Sequence, residues 1–345
     1  MNTFDIKRIL IGAPFPSSQD AHERLDKVRA LAVFASDPIS SNAYATESIM
    51  SVLVIMGSAG LGLTVPIGLA VAGLVALVVF SYIQTIMHYP NGGGSYMVSK
   101  DNLGKMPSLI AAAALLTDYV LTVSVSISAG VRAVTSAFPE IIHLRVLIAL
   151  VAIVIITWIN LRGARESGTI FAIPTYAFVF GVLIVVVIGM LRRMGLVGEP
   201  LPIMQEELLG DQMFTGFALT WVVLRAFAGG CTALTGIEAI SDGVQAFKPP
   251  ESKNAALTMV AMGIMALTLF IGITSLSSYM GLVPQKSESI LSHMTRSITG
   301  GGFGYYWVQF FTAAILFLAA NTGYQDFPRL SYFLARDNFM PRWML

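Results

Sequence analysis

The sequence predicts an all-α membrane protein, a bundle of about eight transmembrane helices, and three observations carry that prediction. Of its 345 residues, 55% are hydrophobic and only 12% charged, where a soluble domain carries roughly a quarter charged residues. The mean hydropathy is +0.72. The apolar residues gather in runs on the order of 20, the length that crosses a hydrocarbon core, and charged or Gly/Pro clusters separate the runs. With lipid as the solvent, the bundle itself is the domain.

Residues 1–29 are polar apart from Ile9–Ile11 and hold Pro14 and Pro16. That apolar stretch is too short for a secretory signal, so the segment reads as a cytoplasmic N-terminal tail with room for one amphipathic turn. The transmembrane core is then 30–345. Spans are expected near 30–55, 61–87, 107–136, 145–161, 168–191, 214–245, 255–283 and 305–334.

In the first span, Pro38 has no N–H, so the carbonyl of Phe34 is expected to lose its helical partner. Asp37, preceding a proline, is expected to leave the α region. The connection after the second span contains Asn91-Gly-Gly-Gly-Ser-Tyr96. It lacks the Lys-Ser/Thr ending of a phosphate loop and reads as a tight cytoplasmic turn, so transport here is not expected to run on ATP. The third span carries TDYVLTVSVS, and the sixth is interrupted at Gly229-Gly230 and again at Gly236.

With a cytoplasmic tail the connections alternate, which puts 14 lysines and arginines inside and 5 outside. The positive-inside rule supports that orientation, with Arg192 and Arg193 as the main dissent. The two interrupted spans stand five apart, the pointer to an inverted-repeat secondary transporter with its site near the midplane. Aligning Glu47 with Glu238 matches Glu-x-Ile. On a five-plus-five plan the chain is expected to be a truncated core, with the second repeat incomplete.

Asp37, Ser41, Tyr44 and Ser48 fall on one helical stripe, with Glu47 off to the side. Asp118, Thr122 and Ser126 recur every four residues, bordered by Tyr119, and Thr235 and Glu238 lie on neighbouring turns, with Asp242 nearer the cytoplasm. An ionised group at mid-bilayer costs about 2.5 to 3.5 kcal/mol, hence roughly 8 to 10 kcal/mol for the three acids Asp37, Asp118 and Glu238 left alone. Arg225 is the deep basic candidate, read either as a gate that fills the site when a cation leaves or as a side chain reaching the outer surface. One arginine cannot neutralise three acids. A dehydrated cation, with protons on the remaining carboxyls, balances the charge better than structural pairing. The available ligands are all oxygen, which suits potassium or sodium over soft transition metals but does not choose between the two.

Other signals are weaker. Cys231 stands alone, His22, His88, His143 and His293 show no metal-ligand spacing, and the net charge of +1 gives no reason to expect nucleic acid. No nucleophile and base pair suggests an enzyme. Asn321 and Thr322 fit either a second ion position or an interhelical hydrogen bond.

Five blocks in order, SDPISSNAYATES, YPNGGGSYMVSKDNLG, TDYVLTVSVSISAG, FAGGCTALTGIEAIS and AANTGYQDFPRLSYFLARDNFMPRW, resemble the KimA-type bacterial potassium importers. These form the potassium uptake family within the amino acid, polyamine and organocation permease superfamily. The likeness runs from about residue 6 to the end. It implies a LeuT-like inverted-repeat fold, a homodimer, and proton-coupled potassium uptake across the bacterial cell membrane, with potassium and a proton as the transported species and no cofactor. The family's cation-site residues fall on Asp37, Tyr44, Asp118, Tyr119, Thr122, Ser126, Thr235 and Glu238. Full-length members continue through further helices into a cytoplasmic C-terminal domain, and cyclic di-AMP restrains them.

Joined to the residue reading, the resemblance assigns Asp37, Thr235 and Glu238 to a potassium ion and Tyr44 to the entrance. Asp118 takes a second ion or the proton. An amino acid permease of the same superfamily is the nearest alternative, though Asp37 would repel a substrate carboxylate where such carriers present bare N–H groups. A non-transporting membrane sensor or scaffold is the other.

Overall fold

The computed structural model describes residues 24–161, 168–199, 201–202 and 214–344. Most of the expected N-terminal tail, with His22, and the loop arginines Arg162 and Arg165 lie outside the described residues. Eight helical segments are long and apolar enough to cross a membrane: Ser36–Leu61, Thr64–His88, Lys105–Ala137, Pro139–Leu161, Phe171–Arg193, Gly216–Asp242, Glu251–Tyr279 and Phe303–Arg336. Each falls within a turn or two of its expected place. Below, the face carrying the start of the first span is the near face and the opposite one the far face.

Helix α1, Lys27–Phe34, begins at Asp26, whose side chain accepts from the main-chain N–H of Val28 and Arg29. The chain just before it is clipped to the connection after the sixth span, through Leu25 N–H to the Ala246 carbonyl at 2.8 Å and an ion pair between Arg24 and Glu251. The chain then turns at Ala35 into α2, Ser36–Ser40. Here the structure corrects the sequence reading: Asp37 is helical. Pro38 is the third residue of α2, and the first four N–H groups of a helix have no intrahelical partner, so its missing donor disrupts nothing. The interruption falls one turn later, in a 3-10 turn over Ser41–Ala43 and at Tyr44, whose φ of −130° and ψ of −13° are not helical. The span resumes as α3, Ala45–Leu53, and closes with α4, Gly57–Leu61.

The second span is α5, Thr64–His88, and the short helix α6, Gly94–Leu103, leads into the third, α7, Lys105–Ala137. The fourth and fifth are α8, Arg145–Leu161, and α9, Gly168–Arg193. The sixth is broken as expected: α10, Gly216–Gly230, gives way to a 3-10 turn over Cys231–Leu234, an extended Thr235 and Gly236, before α11, Ala239–Asp242. The seventh is α12, Glu251–Tyr279, and the short helix α13, Ile290–Thr299, leads into the eighth, α14, Phe303–Arg336.

The three most extensive contacts between spans join the third to the eighth, the second to the seventh and the first to the sixth. Each of these six spans thus packs on the one five places away, which is the arrangement a two-fold axis between two five-helix halves produces for helices beside it. Glycines bring these pairs close. Gly68 touches Thr274 between the second and seventh spans, Gly230 touches Ile49 between the sixth and first, and Gly130 and Gly323 meet Phe317 and Val123 across the third and eighth. Between helices in lipid, where no hydrophobic drive separates tail from side chain, such close backbone approach supplies the association. The fourth span lies outermost, with Val146, Leu150 and Val154 exposed, as suits a lipid-facing helix.

The connecting helices are tied down at opposite faces. On the near face, the Tyr96 hydroxyl and Lys100 Nζ both donate to Asp337 Oδ2 at 2.6 Å, which latches α6 to the end of α14. Burial works against the charged form of Asp337, but the hydrogen bonds from Lys100 and Tyr96 win and hold its carboxyl below the usual range. On the far face, Arg296 of α13 donates to the Ser136 carbonyl at 3.1 Å and to the Tyr305 hydroxyl at 2.7 Å.

Candidate cation site

The breaks of the first and sixth spans meet. Ser41 Oγ is the hub, lying 2.8 Å from Thr235 Oγ1 and 3.0 Å from the Tyr44 hydroxyl and donating to the Asp37 carbonyl at 3.1 Å. Ser40 Oγ donates to the same carbonyl at 2.8 Å. That main-chain oxygen is therefore occupied, and the open ligand is the Asp37 side chain. Asp37 is only 3% exposed, yet its Oδ1 has no hydrogen-bond partner.

Gly236 makes room for that carboxylate. A Cβ on Gly236 would stand 2.5 Å from Asp37 Oδ2, and its φ of 76° is one that other residues rarely adopt. Glu238 follows, buried, at the start of α11. Asp118 of α7 is half-buried, and its charge reaches both Asp37 and Glu238. Thr122 and Ser126 are buried on the same stripe of α7, and Ser126 Oγ, like Asp37 Oδ1, lacks a partner. Tyr119 turns toward the near face, its hydroxyl 3.5 Å from Asp242 Oδ2.

The structure therefore links Tyr44, Thr235 and the Asp37 carbonyl through Ser41 and sets Glu238 and Asp118 within electrostatic reach of Asp37. Ser41, on the expected stripe but not among the expected ligands, is what connects the two breaks. Among the described residues, no three acidic, histidine or cysteine side chains close on one point. An ion here would be held by hydroxyls with one or two carboxylates, a weak field that suits a monovalent cation better than a tightly bound transition metal.

A cavity of about 540 Å³ leads from Tyr44 past Ser48 to Glu47 and Arg132, with Ser124 and Ser128 of α7 on its wall. Glu47 Oε1 and Arg132 NH2 form an ion pair of 2.5 Å there. On the near face, a separate pocket of about 10 Å³ lies between Asp242, Asp326, Arg329 and Gly93, the room of roughly one water.

Arg225 is exposed on α10, and among the described residues no hydrogen bond or ion pair ties it to the cluster. Its position fits the surface-reaching alternative. Two half-buried basic groups that pair with acids of the spans are Arg132 and Arg329, the second of which bonds Asp326 Oδ1 at 2.9 Å. Neither was singled out from the sequence; the signal that could have found the second pair was Asp326 and Arg329, about one helical turn apart in the eighth span. Asn321 accepts from Asn160 Nδ2 of α8 at 2.5 Å, which favours the interhelical bond over a second ion position.

Two broken spans crossing a bilayer, with unpartnered oxygens where they meet, define a membrane permease rather than an enzyme. The chain belongs to the amino acid permease family, whose sequence profile matches residues 25–345. A potassium transporter of Bacillus subtilis, KimA, is 44% identical over 338 residues, which is 98% of this chain and 55% of that protein. The Arabidopsis thaliana protein named cationic amino acid transporter 7, chloroplastic, is 23% identical over 231 residues, 60% of this chain and 38% of its own length. The chain thus spans about half, or less, of the curated relatives it matches.

Proposed function

We propose that this chain is the core of a potassium importer that carries the ion between the broken first and sixth spans, coupled to a proton, across the bacterial cell membrane. The observation that carries the reading is the Asp37 carboxylate, buried and with Oδ1 unpartnered, beside the Ser41, Tyr44 and Thr235 hydroxyls. A buried ionised oxygen without a donor is costly, and a dehydrated monovalent cation removes that cost. Asp37, Thr235 and Glu238 form the first holding set, Tyr44 the far wall, and Tyr119, Thr122 and Ser126 complete the surround. Asp118 carries the proton or a second ion.

The near face is assigned to the cytoplasm, as the excess of lysine and arginine there favours. Homodimer assembly and restraint by cyclic di-AMP rest on the family resemblance alone. The amino acid permease alternative is weakened because Asp37 stands where a substrate carboxylate would need N–H donors.

The test expresses the protein in bacteria that lack potassium uptake. Growth at low potassium and uptake of rubidium are expected. Confirmed membrane insertion without rubidium uptake, or uptake of cationic amino acids in its place, would overturn the reading.

A further inference from the structure

Beside the cavity that reaches Tyr44 lies a larger one of about 710 Å³, formed on the far face by the first, third and fourth spans and the connection over 284–286. Its wall is apolar along the fourth span. Ile142, just before α8, and Val146, Ala149 and Leu150 on it recur at the three- and four-residue spacing of one helical face. Val54 and Val131 of the first and third spans complete that wall. Val146 is 64% exposed and Leu150 55%, on the outermost span, so the groove opens toward lipid.

Four charged residues line the same groove, Glu47, Arg132, Arg145 and Lys286, and their charges do not balance. Glu47 and Arg132 hold each other in an ion pair, and Arg132 also donates to the carbonyls of Gln285 at 2.5 Å and Glu288 at 3.1 Å. That leaves two cations over. Arg145 and Lys286 are both exposed, and among the described residues no hydrogen bond or ion pair holds either. Arg145 is the first residue of α8, so its charge stands where the span leaves the hydrocarbon and the apolar face below it begins. Lys286 belongs to the connection after the seventh span and lines the same groove.

We propose that this groove binds an anionic phospholipid of the far leaflet, its phosphate held by Arg145 and Lys286 and one acyl chain lying along the face of Val146, Ala149 and Leu150. The lipid carries its charge and its chain in the order the groove requires. Basic pockets between membrane helices recognise such head groups, and a guanidinium meets a phosphate with paired N–H donors. A soluble anion would leave the apolar wall unmatched, and an apolar helix would leave the two cations unmatched. A zwitterionic lipid brings an ammonium of its own, which the same two cations repel. Because the groove shares Glu47, Ser51, Ser128 and Arg132 with the smaller cavity, the bound lipid also forms part of the wall of the space that reaches Tyr44. The inference does not depend on which solute the protein carries.

The test measures the melting temperature of the purified whole protein in detergent micelles doped with phosphatidylglycerol, with phosphatidylcholine, or with glycerol 3-phosphate, which has the phosphate and no chain. A ligand that binds only the folded state raises the melting temperature. Phosphatidylglycerol should raise it by several degrees and the other two should not. Native mass spectrometry of the same samples should find a single phosphatidylglycerol retained. Arg145→Gln with Lys286→Gln should abolish both effects. Ala149→Trp, which fills the apolar wall and keeps both cations, should weaken them, and Lys253→Gln, an exposed cation at the opposite face, should leave them unchanged.

An equal shift with glycerol 3-phosphate would make this a site for a free phosphate and overturn the lipid. An equal shift with phosphatidylcholine would mean a general lipid coat, and would overturn it as well. So would a phosphatidylglycerol shift that survives the double variant, or no shift in the wild-type protein. Should the double variant fail to fold, the ranking of the three ligands on the wild-type protein and the response of Ala149→Trp still decide the matter.

Discussion

Asp37 is the residue on which the proposed site turns, because its buried carboxylate leaves Oδ1 without a partner while Oδ2 faces Gly236 in the sixth-span break. Asp37→Asn keeps the shape and removes the charge. Losing one charge-assisted contact costs about 1.5 to 3 kcal/mol, a loss of roughly 10- to 100-fold in apparent rubidium affinity. Glu238→Gln should act in the same direction, and wild-type uptake in both variants would remove the pair from the site. Gly236→Ala tests the cradle from the other side. Its methyl would stand 2.5 Å from Asp37 Oδ2 on a backbone with φ of 76°, so uptake should fall sharply while the protein still reaches the membrane. Unchanged uptake in that variant would mean the two breaks do not share an ion.

At the scale of elements, Pro38 and Asp337 make opposite kinds of prediction. Pro38 sits where α2 needs no N–H, so Pro38→Ala should cost only about 0.4 to 1 kcal/mol through the unfolded chain and leave uptake intact. Loss of transport would return the break to Asp37-Pro38. Asp337 fastens α6 to α14, and its folded-state pKa lies below the ordinary value. A depressed carboxylate stabilises above its unfolded pKa of about 3.9 and loses that contribution as pH falls through the folded value. The melting temperature of purified protein should therefore exceed that of Asp337→Asn by a constant margin from neutral pH down to roughly 5, and the margin should close below roughly 4. Since Lys100 is partly exposed, the margin belongs to the weak range of about 1 kcal/mol or less. A margin that widens on acidification would contradict the assignment.

For the whole molecule, the proposed coupling to an ion gradient can be tested directly. Collapsing the proton gradient should stop rubidium uptake by the full-length protein in vesicles, and indifference to it would point to a uniporter. The eight spans were legible because apolar runs of this length have no other use in a chain. That the first and sixth spans are interrupted was legible from their glycine, proline and hydroxyl residues, though Pro38 pointed one turn too early in the first. Pairing by position, the third span on the eighth and the second on the seventh, was implied by the repeat but not by any single letter.

What the sequence by itself determined is the chemistry available: which spans carry acids and hydroxyls, the groups on which the proposal of a cation and protons rests. Local pattern settles such questions because residue type and helical period are local properties. Only the tertiary structure decided which partner each charge meets. Arg132 and Arg329 face acids from other spans or across a shared cavity, whereas Arg225, as deep by sequence position, is exposed. The rotation of a helix about its axis is fixed by what packs on it, and that information lies in residues far along the chain, as Glu47 does from Arg132. The placing of the first break followed the same logic, since a proline interrupts a helix only if its N–H was needed, and the turn at Ala35 made it unnecessary.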